Sequence, residues 1–311
     1  MQSHFSDVDP FAETRPSPAL TQSISIPPQK KPKKMHRDFR FGCAFVPLLL
    51  IILVGLVFLV YLLIPLRTNI VILGIDDRQP GEAIGRSDTI ILTTFVPLKG
   101  YVGMLSIPRD LWVQVPGHGE NRINTAHFFA EAEQPGAGLQ AAKEVIEVNF
   151  GVDVRYAVRL RFDSFMQVVD TLGGLEVSLD QPTAGYTAGT HLLSSEEALA
   201  FVRDRQGSDD FFRMERGQIF IRSLLKATLS PKNLTHLPQV LLEISKSVET
   251  DVPFILWPKL AINLLVGGIG GIDTRTITRE MVNPFTTSGG AQVLAPNWEA
   301  INPVLLEMFG Q

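Results

Sequence analysis

Hydrophobic and polar positions divide the chain into three parts. Residues 1–41 show no periodic pattern and are rich in Ser, Pro and Gln. Residues 42–66 contain no charged residue and form one continuous apolar run. Beyond 67 the pattern alternates between strand-like and helix-like stretches. The apolar, β-branched run 68–75 reads as a buried strand. A second run begins after Arg86-Ser87-Asp88-Thr89, turns at 97–100, and returns as a third strand over 101–107. A helix is predicted at 139–149, ending at Gly151. A strand follows at 154–160, with Arg155, Arg159 and Arg161 on its other face. Asp163 has the position of an N-cap for a helix that Gly173-Gly174 stops. After a strand at 175–179, Ser194-Ser195-Glu196-Glu197 forms a capping box and opens a helix that delivers Arg203 and Arg205. Further helices are predicted over about 213–229, 237–248, 254–265 and 298–308, with short strands near 274–278 and 292–294. Strands alternating with helices argue for one α/β domain with helices on both faces of a sheet.

At 1.5 Å per residue, the run 42–66 is long enough to cross roughly 30 Å of hydrocarbon. A buried core helix and a cleaved signal peptide are the alternatives. The run is too long and too far from the start for a signal peptide, and it ends in IPLRTN without a small-residue cleavage site. It is therefore expected to be an uncleaved signal-anchor, a single transmembrane helix. Lys30, Lys31, Lys33, Lys34, Arg37 and Arg40 stand just before it, opposed only by Asp38. Positive residues stay on the cytoplasmic side. Residues 1–41 are thus expected to be a disordered cytoplasmic tail, 42–66 the span, and 67–311 an extracytoplasmic domain.

The chain holds 28 Lys+Arg and 32 Asp+Glu. Residues 1–40 account for 7 and 4 of these, leaving 21 basic against 28 acidic residues outside. A nucleic-acid binder shows the opposite balance. One cysteine, Cys43, excludes an intrachain disulfide and a cysteine metal site. Six histidines form no HxxxH-like pair, so a histidine zinc site is not expected.

Against this acidic background, residues 203–222 concentrate Arg203, Arg205, Arg213, Arg216 and Arg222, with no lysine before Lys226. Arginine presents a planar, permanently charged fork that matches phosphate oxygens in pairs. A solvated helical face laced with salt bridges to Asp204, Asp209 and Asp210 would give the same composition. Upstream, each of the first three strands carries Arg or Asp at an end: Asp76, then Arg86 and Asp88, then Arg109 and Asp110. Ligands in open α/β sheets gather at strand ends. Asp76 and Asp88 are candidates to hold a hard divalent cation, or are simply turn formers. Arg86 and Arg109 are candidate phosphate ligands, or structural partners of those acids.

LGID with Asp76, RSDT with Arg86 and Asp88, SIPRD with Arg109 and Asp110, and RIN at 122–124 occur in order. VDTLGGLEV at 169–177, RDR with Arg203 and Arg205, and DFFRMER with Asp210 and Arg213 follow. Over about 68–230 this sequence strongly resembles the LytR-CpsA-Psr family of bacterial envelope proteins. The resemblance implies a three-layer α/β/α sandwich with a central mixed sheet, preceded by one transmembrane helix. It implies a phosphotransferase that moves a glycopolymer from a polyprenyl-pyrophosphate carrier to a cell-wall acceptor such as peptidoglycan, with magnesium (or manganese) and a possible pyrophosphatase side activity. Asp76 and Asp88 would hold the metal. Arg86, Arg109, Arg122, Arg203, Arg205 and Arg213 would bind the pyrophosphate. Arg86, Arg109, Asp110 and Asp210 would form the catalytic group, and apolar helices would line a tunnel for the lipid tail. Asp76, Asp88 and Asp210 all qualify by type as general base.

Two positions depart from the family pattern. Arg122 stands where many members have lysine. Gly217 follows Arg216 where many have glutamine, and Gln218 lies about 100° further round the helix. A non-catalytic module that binds polyprenyl lipid or wall polymer is the alternative. A membrane-bound transcription regulator would need a cytoplasmic DNA-binding segment, and residues 1–40 are too short and proline-rich for one.

Overall fold

The computed structural model describes residues 40–63, 67–75, 87–97, 99–204, 210–233, 236–267 and 271–310. The chain forms two units, Met1–Gly55 and Leu56–Gln311. Helix α1 (Arg40–Leu63) runs through the boundary, and its side chains from Val46 to Val60 are exposed and almost wholly apolar. Side chains of α1 are described only between Val46 and Tyr61. Among the described residues no helix is long and apolar enough to cross a membrane.

The second unit begins with β1 (Thr68–Ile75), β2 (Ser87–Val96) and β3 (Tyr101–Ile107), followed by a hairpin of β4 (Trp112–Val115) and β5 (Gly119–Arg122). Helices α2 (Thr125–Glu133) and α3 (Gly138–Phe150) lead to β6 (Tyr156–Arg161) and α4 (Phe162–Thr171). A second hairpin, β7 (Leu175–Leu179) with β8 (Gly189–Leu193), precedes α5 (Ser195–Arg203) and α6 (Asp210–Leu229). The rest is α7 (Leu237–Ser247), β9 (Val248–Thr250), α8 (Trp257–Gly267), β10 (Ile272–Thr276), β11 (Val282–Thr286), β12 (Gln292–Pro296) and α9 (Trp298–Phe309).

Six strands form the central sheet in the order β10-β3-β2-β1-β6-β9. β1 runs parallel to β6 and antiparallel to β2. β3 runs antiparallel to β2 and parallel to β10. Hence β1, β3, β6 and β10 all end at the same edge, where β2 begins.

Period-two alternation explains why the sheet is covered on both sides. Val71, Leu73, Ile90, Leu92, Leu105 and Ile107 pack with Val145 and Ile146 of α3 and Ile301 and Leu305 of α9. Ile91, Val102, Met104 and Ile272 point the other way, toward Ile221 and Leu225 of α6 and Leu264 of α8. Burying two faces demands the near-continuous apolar runs seen at 68–75 and 101–107. A satellite core joins α4, α5 and α6 with β7 through Val168, Leu175, Phe201 and Phe220.

The expected elements recur with shifted ends. The strand expected from 154 starts at Tyr156, the first residue paired with β1; Val152 and Val154 are buried before the ladder begins. Ala157 and Leu160 of β6 serve opposite cores, so its alternation holds. The Ser194–Glu197 capping box forms, each side chain bonding the other's backbone N–H. The stretch 112–133, given no regular structure beforehand, is the β4–β5 hairpin and α2. Its strands have four residues each and β5 (GENR) is entirely polar, so periodicity carries little signal there. The Asp163 side chain lies outside the described residues.

Candidate active site

Of the predicted charged residues, Asp88, Arg109, Asp110 and Arg122 collect at the sheet edge where β1, β3, β6 and β10 end. A β-bulge prepares it. Gly74 pairs with Thr89 and Ile75 with Ser87, so Asp88 is the extra residue on β2. A bulge re-aims its side chain away from the regular ladder. Asp88 thereby meets Arg109, which follows β3, and the Arg109 Nη1 donates to the Asp88 Oδ1.

Asp110 extends the pair into a chain of alternating charge. Its Oδ2 lies 3.6 Å from the Arg109 Nε, and its Oδ1 lies 3.0 Å from the Arg122 Nε. Arg122, at the end of β5, is fixed on its other side by donating Nη2 to the Gln292 carbonyl at 2.9 Å. The four side chains are each a quarter to a third exposed. They are screened enough to be ordered and open enough to meet a ligand. A guanidinium has five N–H donors, so holding a carboxylate leaves others for an incoming oxyanion.

Helix α6 overhangs this edge. Ile221 and Leu225 pack on the sheet interior. One turn earlier, Gln218 is buried and donates Nε2 to the Ser106 Oγ at 2.8 Å and to the Arg275 carbonyl at 2.5 Å. Gly217 faces Thr89, and a Cβ there would rest 3.8 Å from its Cγ2. The helix thus runs antiparallel to β3. Its first turn therefore lies toward the end of β3 that Arg109 follows, and its N-terminus adds partial positive charge there.

Arg216 has a different position from Arg213. It is buried and donates Nη2 to the Asp204 carbonyl, tying α6 to the end of α5 just after Arg203. Burial pulls its guanidinium below the ordinary arginine value; Asp204 opposes this and neighbouring Arg213 adds to it. The described ion pairs therefore join Asp88, Arg109, Asp110 and Arg122. Arg203 and Arg213 come from α5 and α6, which Arg216 holds together. Asp76, Arg86 and Arg205 lie outside the described residues, as does the Asp210 side chain.

Sequence reasoning missed Gln218 and Arg216 as anchors and Gln292 as a partner of Arg122. For Gln218 the signal was its place one turn before Ile221 on the sheet-facing side of α6; Arg216, two residues earlier, turns toward α5 instead. A backbone carbonyl gives none.

The donor chemistry at Asp88 suits a hard cation: a carboxylate oxygen at a solvent-open strand end. Among the described residues no group of three His, Cys, Asp or Glu is placed to hold a metal, so Asp88 would need oxygens from elsewhere. A half-open cleft of about 1080 Å³ runs along the other flank of α6 to β7 and β10. Phe211, Phe212, Glu215, Asp180, Thr276 and Arg279 are among its lining residues.

Residues 66–304 match the LytR_cpsA_psr family. The chain is 30% identical over 248 residues to a protein of Oceanobacillus iheyensis named polyisoprenyl-teichoic acid–peptidoglycan teichoic acid transferase TagU, covering 78% of this chain and 75% of that one. It is 32% identical over 185 residues to the TagT transferase of the same description from Bacillus subtilis, covering 55% and 54%. Among solved structures, B. subtilis TagV superposes with a TM-score of 0.64 at 25% identity, over 79% of this chain and 98% of that one. A structure of TagT bound to LIIa-WTA shares the fold, with a TM-score of 0.59 at 22% identity, over 79% and 91%. With three quarters of its length inside the family match and the strand-end charges gathered at one edge, the chain belongs to the LytR_cpsA_psr family.

Proposed function

We propose that this protein is a phosphotransferase that moves a glycopolymer from a polyprenyl-pyrophosphate carrier to peptidoglycan. The observation that carries this is the Asp88–Arg109–Asp110–Arg122 network at the sheet edge, beneath the first turn of α6. The names of the transferase relatives give the same substrate classes. A hydroxyl of the acceptor attacks the sugar-proximal phosphorus. The new P–O bond forms as the bond to the bridging oxygen breaks, polyprenyl phosphate leaves, and the hydroxyl proton passes to a base. Arg109 and Arg122 face the oxygens that gather charge, with Arg213, Arg203, Arg205 and Arg86 as further pyrophosphate ligands. Preorganised donors of this kind are worth most where charge develops. Asp110 keeps the two arginines at a fixed spacing, and Asp210 supports Arg213. Magnesium, held by Asp88 with Asp76, would neutralise phosphate charge. The cleft beside α6 combines hydroxyls, carboxylates and phenyl rings, the groups that hold a sugar chain, and begins at Phe211 next to Asp210.

We read the fold as three-layer α/β/α, with 42–66 crossing the membrane, 1–41 cytoplasmic and 67–311 outside. The uncharged run and its basic flank support this. An anchor keeps the enzyme beside a carrier that does not leave the bilayer.

The test uses the full chain in lipid vesicles with a short polyprenyl-pyrophosphate oligosaccharide, with and without magnesium, read as polyprenyl monophosphate by mass spectrometry. Release is expected with the metal and should fall about 10³-fold in Arg109→Ala. Intact lipid retained on the protein with no monophosphate would leave a binding module in place of a transferase.

A further inference from the structure

Helix α8 is built inside out. From Phe254 to Gly267 the sequence is FILWPKLAINLLVG, and its single charge is Lys259. Lys259 and Asn263, four apart and so on one face, are buried. Phe254, Ile255, Ile262, Leu265 and Val266 point outward, with Phe254 82% and Val266 68% exposed. A helix facing water shows the reverse arrangement. Scattered surface apolar residues need no explanation, but a contiguous outward face without a charge does.

The surroundings say what faces it. The Tyr61 hydroxyl, at the end of apolar α1, donates to the Ile255 carbonyl at 2.6 Å, and the Lys259 Nζ sits 5.6 Å from the centre of the Tyr61 ring. At the other end of α8, Gly267 meets the β2–β3 turn so closely that a Cβ there would stand 1.7 Å from the Gly100 carbonyl oxygen. That turn lies at the sheet end where β1 starts, since Thr68 pairs with Phe95. The outward face therefore adjoins the point where the chain leaves α1, at the opposite end of the sheet from Asp88. Phe254 and Trp257 pair at 6.0 Å there, the aromatic composition found at membrane–water boundaries.

We infer that the outward face of Phe254–Gly267 lies in the headgroup region of the bilayer that anchors α1, as an interfacial helix. This rests on the reading that α1 spans the membrane. Such faces bury about 5–10 Å into the headgroup and acyl boundary.

The full chain, with Cys43→Ser and one new cysteine carrying an environment-sensitive fluorophore, would be placed in phosphatidylethanolamine–phosphatidylglycerol vesicles. The new cysteines are Ile262→Cys, Val266→Cys, the exposed control Val148→Cys, and Leu53→Cys within α1. A blue-shifted emission at 262 and 266, quenched about twofold or more by shallow spin-labelled lipid while 148 is unaffected, is the expected result. Water-like emission at 262 and 266, with 53 quenched by deep spin-labelled lipid, overturns the interfacial placement and leaves the span intact. Blue-shifted emission that no lipid quencher reaches overturns it in favour of contact with a second copy. An unquenched 53 instead sinks the spanning reading, and 262 and 266 then report on the face separately.

Discussion

At the scale of single residues, Asp110 carries more of the site than its type suggests. It spaces two arginines and is not itself offered to phosphate, so Asp110→Asn should keep the fold and lower kcat about 10²-fold, the usual cost of a small misplacement. Arg122 differs in kind. Its fork meets both Asp110 and the Gln292 carbonyl, a pair of contacts that a lysine point charge does not reproduce. Arg122→Lys should lower kcat about tenfold, roughly one charge-assisted hydrogen bond, with KM nearly kept. The arginine at this position is thus held by partners of its own. Gly217 has open space before Thr89 and no unusual backbone demand. Gly217→Ala should stabilise the chain by about 1 kcal/mol through helix propensity, read as a melting temperature about 3 °C higher. The residue types at strand ends were legible in the sequence because charge next to an apolar run is conspicuous. Partners such as the Gln292 carbonyl were not, since they depend on tertiary approach.

At the scale of elements, α6 is a beam pinned at one point. Gln218 bonds two adjacent strands, β3 through Ser106 and β10 through Arg275. Gln218→Leu strands a buried hydroxyl and leaves the carbonyl without that donor, costing about 2–3 kcal/mol by denaturant unfolding. Because the same contact aims the first turn of α6, monophosphate release should fall as well. The capping box placed α5 and the Gly173-Gly174 stop placed the end of α4, but α4 starts at Phe162, so Asp163 stands inside the helix and not at its cap. The start of α6 fell three residues early of its expected 213, and the β4–β5 hairpin escaped notice because two four-residue strands, one of them without an apolar side chain, carry almost no periodicity. The bulge at Asp88 was equally silent, being a property of register between two strands.

At the scale of the whole molecule, ionic networks away from the site set the pH range. Burial alone would raise the Glu131 carboxyl. The Gly136 and Gly138 N–H groups, Arg159 and His127 outweigh it and hold the group below the ordinary glutamate value. A depressed carboxylate stabilises above its unfolded value and loses that contribution as pH falls through the folded one. Glu131→Gln should therefore destabilise the protein at neutral pH and blunt its acid sensitivity, both read by unfolding against pH. Tyr101 behaves oppositely. Burial and its hydrogen bond to Asp273 push the phenol up to about 12. That contribution is complete below the unfolded value near 10 and fades as pH rises toward 12, so Tyr101→Phe should flatten the alkaline loss of stability. The parallel pairing of β10 with β3, Ile272 against Val102, also orders events during synthesis. Strands β1 to β3 can form a meander early, but β3 then waits as a bare edge until 170 further residues have been made. An unpaired edge is a template for other chains. A ribosome stalled or a chain cleaved before 272 should therefore yield a sticky species, and a chaperone that shields β3 would matter most in that interval.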